Sequence, residues 1–388
     1  MKSNWEIRPL GELVKFSSGG TPSKKNPEYW NGNIPWISAK TMKGERLSSS
    51  DLMITEAGLA SGSKLAPVGS LLLLTRGSGL FNGIPLCIVE KPVAFNQDVK
   101  CIESCSDVSN EFIFYWLKSQ EQYLKAKLEV TGIGAGKFDT KFLQELLIPV
   151  PPKDERDKIV AIAKAISQKI IVNTKINENL QQQAIALFNN FYDRSDKEIG
   201  FTEIIQILGG GTPKTGEKTY WNGNIPFFTP KDVGSPYTLT TEKTITDTGL
   251  AHCNSRLYPV NTVFVTARGT VGKVSLAGVP MAMNQSCYAL SGKAIPQLLT
   301  YFYTLKAVDR LKHKASGAVF DAIITRDFET EKVFELSRED TKTFLEIAEP
   351  MYQSILNNAI ESQRLTALRT ALLPKLMSGE IDLSDVQF

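Results

Sequence analysis

The stretch GGTPSKKNPEYWNGNIPWI, residues 19–37, returns as GGTPKTGEKTYWNGNIPFF, residues 210–228. Thr21 answers Thr212, Pro22 answers Pro213, and the block Tyr29-Trp30-Asn31-Gly32-Asn33-Ile34-Pro35 recurs as Tyr220 to Pro226, all at one offset of 191. Lys40 and Lys231 keep that offset. Further echoes follow in the same order: LLTRGSG (73–79) with FVTARGTVG (264–272), which pairs Arg76 with Arg268, and AFNQD (94–98) with AMNQS (282–286). GKFDTKFL (136–143) is answered more loosely by AVFDAIIT (318–325). The offsets drift through 192, 188 and 182, as small loop insertions produce. Colinear blocks of this length mean one structural unit used twice.

Between and after the copies the texture changes. From Asp154 to Tyr192 there is no Gly or Pro, and Ile159, Ile162, Ile166, Ile170, Leu180, Ala184, Leu187 and Phe191 fall at steps of three and four, the period of a helix face. Asn173 and Asn177 continue that stripe. Pro149, Pro151 and Pro152 block an earlier start. A rise of ~1.5 Å per residue makes this a rod of roughly 60 Å. A second such helix is expected from Glu339 to Met377, with Leu345, Ala348, Tyr352, Ile355, Ala359, Leu365, Leu368 and Leu372 as its stripe and Ser378-Gly379 as its stop. Pro350 and Pro374 are expected to kink or disturb it. A long helix with one narrow apolar stripe is not stable alone, so the two are expected to pair as an antiparallel coiled coil.

Within each copy, short β-rich runs (SLLLLTR, PLCIVE, NTVFVTA) alternate with Gly/Pro/Asn turns, and one helix follows in each, at 111–128 and 294–313. The expected class is α+β, with globular segments at 1–150 and 198–335 and long helices at 151–197 and 336–388.

At 388 residues, with 42% hydrophobic and 22% charged side chains, the chain is long enough for two or three domains with real cores. Its longest apolar run, around Val68 to Leu74, is strand-sized, well short of the roughly 18 residues of a membrane span. The start, MKSNWEIRPLGEL, lacks a secretory apolar region. Five scattered cysteines (Cys87, Cys101, Cys105, Cys253, Cys287) read as reduced thiols, which points to a cytoplasmic protein. Net charge is +3. Residues 1–150 carry 17 basic and 15 acidic groups and residues 198–335 carry 14 and 12. A basic face therefore requires segregation of charge on the surface.

Catalytic patterns fail one by one. GIGAGK (132–137) has Thr131 where a phosphate loop needs its first Gly, and Phe138 where it needs a hydroxyl; it reads as a loop between helix and strand. The acids of PKDERDK (152–158) open a long helix, where they suit the positive end of its dipole. His252 and His313 stand in the second copy alone, outside any metal spacing. No G-x-S-x-G elbow and no N/D-P-P-[YF] motif occurs. Two copies that share no acid, base or metal set point to binding.

The repeated GGTP…YWNG-IPW block, the R-G and N-Q echoes, the PVPP exit into a long helix and the closing LRTALLPKLMSGEI resemble the specificity subunit of type I restriction–modification systems. The likeness spans nearly the whole chain. It departs at KVFELSRED, where a second proline-rich exit is expected. It implies a chain without an active site, in which each recognition domain reads half of a bipartite, asymmetric DNA site through the major groove. It also implies that the paired helices set the unread spacer and dock two methylation subunits. S-adenosylmethionine, ATP and magnesium are then used by the methylation and restriction subunits, and no cofactor, metal or membrane is expected to bind this chain. The competing reading is a scaffold or anti-restriction protein that holds methylation subunits without reading DNA. A DNA mimic is expected to be acidic, and this chain is slightly basic.

Candidate DNA contacts are Arg76 and Arg268, each closing an apolar run before Gly, with Lys40 and Lys231 for phosphate. Asn96-Gln97 and Asn284-Gln285 have adenine-reading chemistry, but residues common to both copies suit different half-sites poorly. Gly20, Thr21, Pro22, Trp30 and Gly32 and their partners read as a turn and a small aromatic core, with Trp30 and Trp221 as alternative stacking platforms. Base readers are expected where the copies diverge, at 43–64 and 234–257, which singles out Arg46, Lys64, Lys243 and Arg256.

Overall fold

The computed structural model describes residues 5–132, 134–314, 322–384 and 386. It divides the chain into two compact units, Met1–Gln168 with Leu365–Phe388, and Lys169–Arg364. Each unit thus takes in a globular segment and a stretch of each long helix.

In the first unit the apolar run becomes Leu71–Leu74, buried at every position, as expected of a strand covered on both faces. It sits at the centre of a five-stranded sheet in the order Val14–Ser18, Val99–Ser104, Leu71–Leu74, Leu86–Val89, Arg46–Leu47. A second sheet runs Met53–Ile54, Trp30–Ile37, Val93–Phe95, Lys64–Ala66. The helix expected at 111–128 is broken: Asn110–Ser119, capped by the Ser109 hydroxyl, gives way to Glu121–Ala126. The break falls at Gln120, whose N–H is shared between the carbonyls of Trp116 and Leu117.

The second unit repeats the plan. Its five-stranded sheet runs Ile205–Gly209, Cys287–Gly292, Val263–Thr266, Val274–Ala277, Tyr237–Thr238, and a smaller sheet runs Lys243–Ile245, Trp221–Phe228, Ala282–Met283. The helix Gln297–Lys314 lies close to the expected 294–313. The repeat also extends further than its sequence echo. Glu6–Pro9 pairs antiparallel with Leu147–Val150, and Glu198–Gly200 pairs antiparallel with Lys332–Phe334. The divergent KVFELSRED therefore continues the same ladder as LIPVPP. Only the helix start differs: prolines serve in the first unit, and the Ser337 hydroxyl accepting from Asp340 N–H serves in the second.

Backbone pairing also corrects the loosest echo. Phe138 N–H donates to Thr75 O and Ile323 N–H to Ala267 O, both at 2.9 Å. Phe138 thus answers Ile323, three positions beyond the alignment that matches the Phe-Asp pairs; residues 318–321 lie outside the described residues. The GIGAGK segment, apart from residue 133, is the turn and return strand of a hairpin, Glu129–Val130 with Gly136–Lys137. It is not a helix-to-strand loop.

The long helices are Lys153–Tyr192 and Arg338–Met377, 40 residues each, and the second continues through Pro350 and Pro374. Within the first unit they run antiparallel: Arg369 donates to the Ser167 hydroxyl at 2.9 Å, and Lys158 to Leu383 O at 2.9 Å. Ile159, Ala163, Leu373, Leu376 and Met377 from these stretches complete that unit's core. Within the second unit the pairing is again antiparallel. Asn173, fully buried, donates to Glu361 Oε2 at 2.8 Å and to the Ser362 hydroxyl at 3.2 Å. One turn on, Asn177 donates to Ile355 O at 3.1 Å and accepts from Asn358 at 2.9 Å. The stripe asparagines therefore do face the seam.

Phe188 anchors the second core, with ring centroids 5.0 Å from Phe302, 5.4 Å from Phe344 and 5.7 Å from Tyr303. Phe188→Ala should cost about 3–5 kcal/mol, read by urea unfolding; a loss below about 1 kcal/mol would show that this ring is dispensable. The Glu361 carboxyl is held below its usual pKa by the Asn173 hydrogen bond first and by Lys169 second. A depressed folded-state pKa contributes stability above the unfolded value, and that contribution is lost as pH falls through the folded value. Asn173→Ala should therefore raise the Glu361 pKa, measured by NMR titration, and shrink the part of the stability that is lost between the unfolded and folded pKa values as pH falls.

Candidate nucleic-acid interface

The YWNGNIP block forms the same distorted antiparallel strand pair in both units. Trp30 and Ile34 both pair with Ile54, and Trp221 and Ile225 both pair with Ile245, so three residues bulge from each strand. Asn31 and Asn222 supply the left-handed backbone at the bulge, each with φ of 61°, a conformation Asn tolerates better than most residues. The glycine doublet ahead of it is required by close approach: a Cβ on Gly20 would meet Gly62 O at 2.1 Å, and one on Gly211 would meet Asn254 N at 2.6 Å.

Shared side chains tie this edge down. The Trp30 indole donates to Ser23 O at 3.1 Å and the Trp221 indole to Lys214 O at 3.2 Å. Trp30 stands edge-on to Trp36 at 5.3 Å, as Trp221 does to Phe227 at 5.5 Å. Thr21 donates to Gln97 Oε1, and Thr212 to Gln285 Oε1. Asn96 Oδ1 accepts from Asp98 N–H, and Asn284 Oδ1 from Ser286 N–H. The Asn-Gln echoes thus have a shared structural task in the turn.

This lattice brings the paired candidates together within each unit. Arg76 N–H and Arg268 N–H each donate at 3.3 Å to a carbonyl of the Asn-Gln turn, that of Asp98 and that of Ser286. The glycine after each arginine abuts the lysine loop: a Cβ on Gly77 would lie 3.9 Å from Ala39 Cβ, and one on Gly269 lies 3.6 Å from Pro230 Cβ. Thr270 donates to Pro230 O at 3.0 Å. The loops that carry Lys40 and Lys231 therefore abut those that carry Arg76 and Arg268 respectively, and all four side chains are exposed. In the first unit Lys40 lines an open cleft of about 790 Å³ with Lys24, Trp30, Asn31, Leu52 and Gln97. A second hollow of about 370 Å³ shares Gln97 and holds Arg76, Lys100, Lys137 and Asp139.

The other candidates separate. Arg46 is engaged internally, its guanidinium 3.4 Å from Glu111 and 3.6 Å from Glu90, so its charge is spent within the fold. Lys231 makes an exposed pair with Glu242, 3.7 Å, which contributes little and leaves the ammonium available. Lys64 is exposed on the strand paired with Val93–Phe95. Lys243 sits 5.7 Å from the Trp221 ring centroid. Arg256 is exposed beside Tyr258, whose pKa is raised by burial against the opposing influence of Arg256.

Several cations carried no echo in the sequence. Lys137 lies directly across the strand pair from Arg76, hidden in what resembled a phosphate loop. In the second unit Lys312 has its pKa lowered by burial and by nearby Lys273. Both histidines turn back on their own helices, His252 Nδ1 lying 2.8 Å from Thr248 O and His313 Nδ1 2.8 Å from Asp309 O. Among the described residues, no group of three or more His, Cys, Asp or Glu is arranged to hold a metal ion. No helix there is long and apolar enough to cross a membrane.

The family model described as type I restriction modification DNA specificity domain matches residues 2–182 and again residues 197–334. The chain belongs to this family. It is 23% identical to the MjaIX type I restriction enzyme specificity subunit of Methanocaldococcus jannaschii, across 99% of this chain and 95% of that one. Across 40% of its length it is 36% identical to the EcoR124I/EcoR124II specificity subunit of Escherichia coli, covering 39% of that protein. The fold is similar to the crystal structure of the type I restriction–modification S subunit from M. genitalium, with a TM-score of 0.58 at 16% identity over 97% of this chain and 98% of that one. Each match to the specificity-domain model carries one copy of the tryptophan bulge and one Lys–Arg pair.

The bulge is itself testable. Asn31→Val places a β-branched residue in left-handed backbone, which should cost roughly 1–2 kcal/mol in urea unfolding, whereas Asn31→Gly should leave stability nearly unchanged. Equal losses for the two variants would mean that the side-chain amide, and not the backbone angle, matters there.

Proposed function

We propose that this chain is the DNA-reading, non-catalytic subunit of a type I restriction–modification complex, each unit reading one half of a bipartite site. The observation that carries the reading is the recurrence, in two otherwise divergent units, of an exposed lysine and an exposed arginine on abutting loops beside the same tryptophan bulge. Cations so placed attract phosphate and set register, while non-identical surroundings suit an asymmetric site. The two long helices then set the unread spacer and dock two methylation subunits. Methylation with S-adenosylmethionine, and ATP- and magnesium-dependent cleavage, belong to those partners and to the restriction subunits, in the cytoplasm.

Coexpression of the chain with its methylation subunit, followed by genome-wide mapping of methyladenine, should show one bipartite asymmetric motif that disappears when the chain is omitted. Methylation that is unchanged without the chain overturns the reading. Arg76→Ala should weaken recognition of one half-site and Arg268→Ala of the other, each with a smaller salt dependence of binding. Normal methylation of every site in both variants would remove these arginines from the interface.

A further inference from the structure

The two units share their scaffold so closely that their differences can be located one residue at a time. Ile54 and Ile245 occupy the same place, each pairing with both ends of its bulge. Ser50 and Thr241 correspond as well. The Ser50 hydroxyl donates to Trp36 O, and the Thr241 hydroxyl accepts from the N–H of Phe227, the counterpart of Trp36. Counting between these anchors makes Leu52 the counterpart of Lys243. Leu52 is 40% exposed and lines the cleft in front of Trp30. Lys243 is exposed, with its ammonium over Trp221.

The tryptophan, its indole hydrogen bond, the bulge asparagine and the Thr–Gln pair are all retained around this position. The side chain at this position changes from one with no hydrogen-bonding group to one with three donors. Base edges in the major groove differ in the same respect: guanine offers the acceptors O6 and N7, and thymine offers a methyl group for apolar contact. Taking DNA reading by these units as its premise, the geometry points to the Leu52/Lys243 position as a specificity determinant. Leu52 favours a thymine methyl in the half-site of the first unit, and Lys243 favours guanine in the half-site of the second. Nothing else in the shared lattice has to move for the two units to read different bases here.

The test uses the full chain with its methylation subunit, bound to a duplex library randomised across both half-sites and spacer and read by sequencing. Leu52→Lys should shift one base pair of one half-site toward guanine, and Lys243→Leu should lose guanine at one base pair of the other. Each preference should change roughly ten-fold or more while the opposite half-site stays as it was. Lys243→Arg should retain guanine, which separates loss of donors from loss of fold. A motif left intact in both single variants, with affinity falling evenly over all sequences, would make Lys243 a phosphate contact and overturn the inference. Failure of the unsubstituted chain to select any motif would instead strike the DNA-reading premise, and the inference with it.

Discussion

Neither 40-residue helix can hold itself together in water, because each carries only a narrow apolar stripe. Every part of the architecture answers to that constraint. In the first unit, Ile159 and Ala163 of one helix and Leu373, Leu376 and Met377 of the other enter the same apolar cluster as the five-stranded sheet. In the second, Ala184, Phe188 and Tyr192 meet Phe344, Ala348, Tyr352 and Ile355 among the aromatic residues of Gln297–Lys314. A globular unit without its helix stretches would expose that cluster, and a helix stretch without its unit would melt. Where the seam turns polar, at Asn173 and Asn177, directional hydrogen bonds take over from apolar burial. Such bonds hold in one alignment only, so the polar layer specifies register while the apolar ends supply adhesion.

The lattice around the tryptophan bulge uses its polar groups differently. Asn96 and the Trp30 indole, with their second-unit partners, brace backbone, and Thr21 and Gln97, like Thr212 and Gln285, tie one side chain to the other. Repetition across the units reflects a common need for a rigid edge. Information that distinguishes one half-site from another has to come from side chains that ride on this edge without bracing it.

Much of this was legible in the sequence, and for identifiable reasons. The repeat was visible because the bulge constrains nearly every residue in it, from the glycine doublet to Pro35. The long helices lay within a residue of their expected ends, since unbroken helical periodicity bounded by proline or a capping hydroxyl leaves little choice. The short ladders of Glu6–Pro9 and Glu198–Gly200 were not legible, because each has its partner more than 130 positions away and satisfies only backbone groups. The loose echo at 318–325 was misaligned by three positions because a Phe-Asp match outweighed pairing that only the fold reveals. Arg46 looked free for the same reason: Glu90 and Glu111 meet it only after the chain has folded.

That last pairing is one instance of a wider sorting of charge. Glu45 binds Arg369 at 2.7 Å, Asp107 binds Arg156 at 2.6 Å, and Glu111 binds Lys164 at 2.8 Å as well as Arg46. In the second unit the buried Glu331 takes Lys314 and Arg310, and Asp193 takes Lys306. Most of these acids are neutralised where helix meets sheet. Lys231 pairs with Glu242 at 3.7 Å on the surface, and Arg76 and Lys137 share their hollow with Asp98 and Asp139. A chain with a net charge of only +3 can still present exposed cations. The field near a surface follows the local arrangement of charge more than its total, so what matters at the tryptophan bulge is that Lys40, Arg76, Lys231 and Arg268 stay exposed while these acids are engaged elsewhere in the fold.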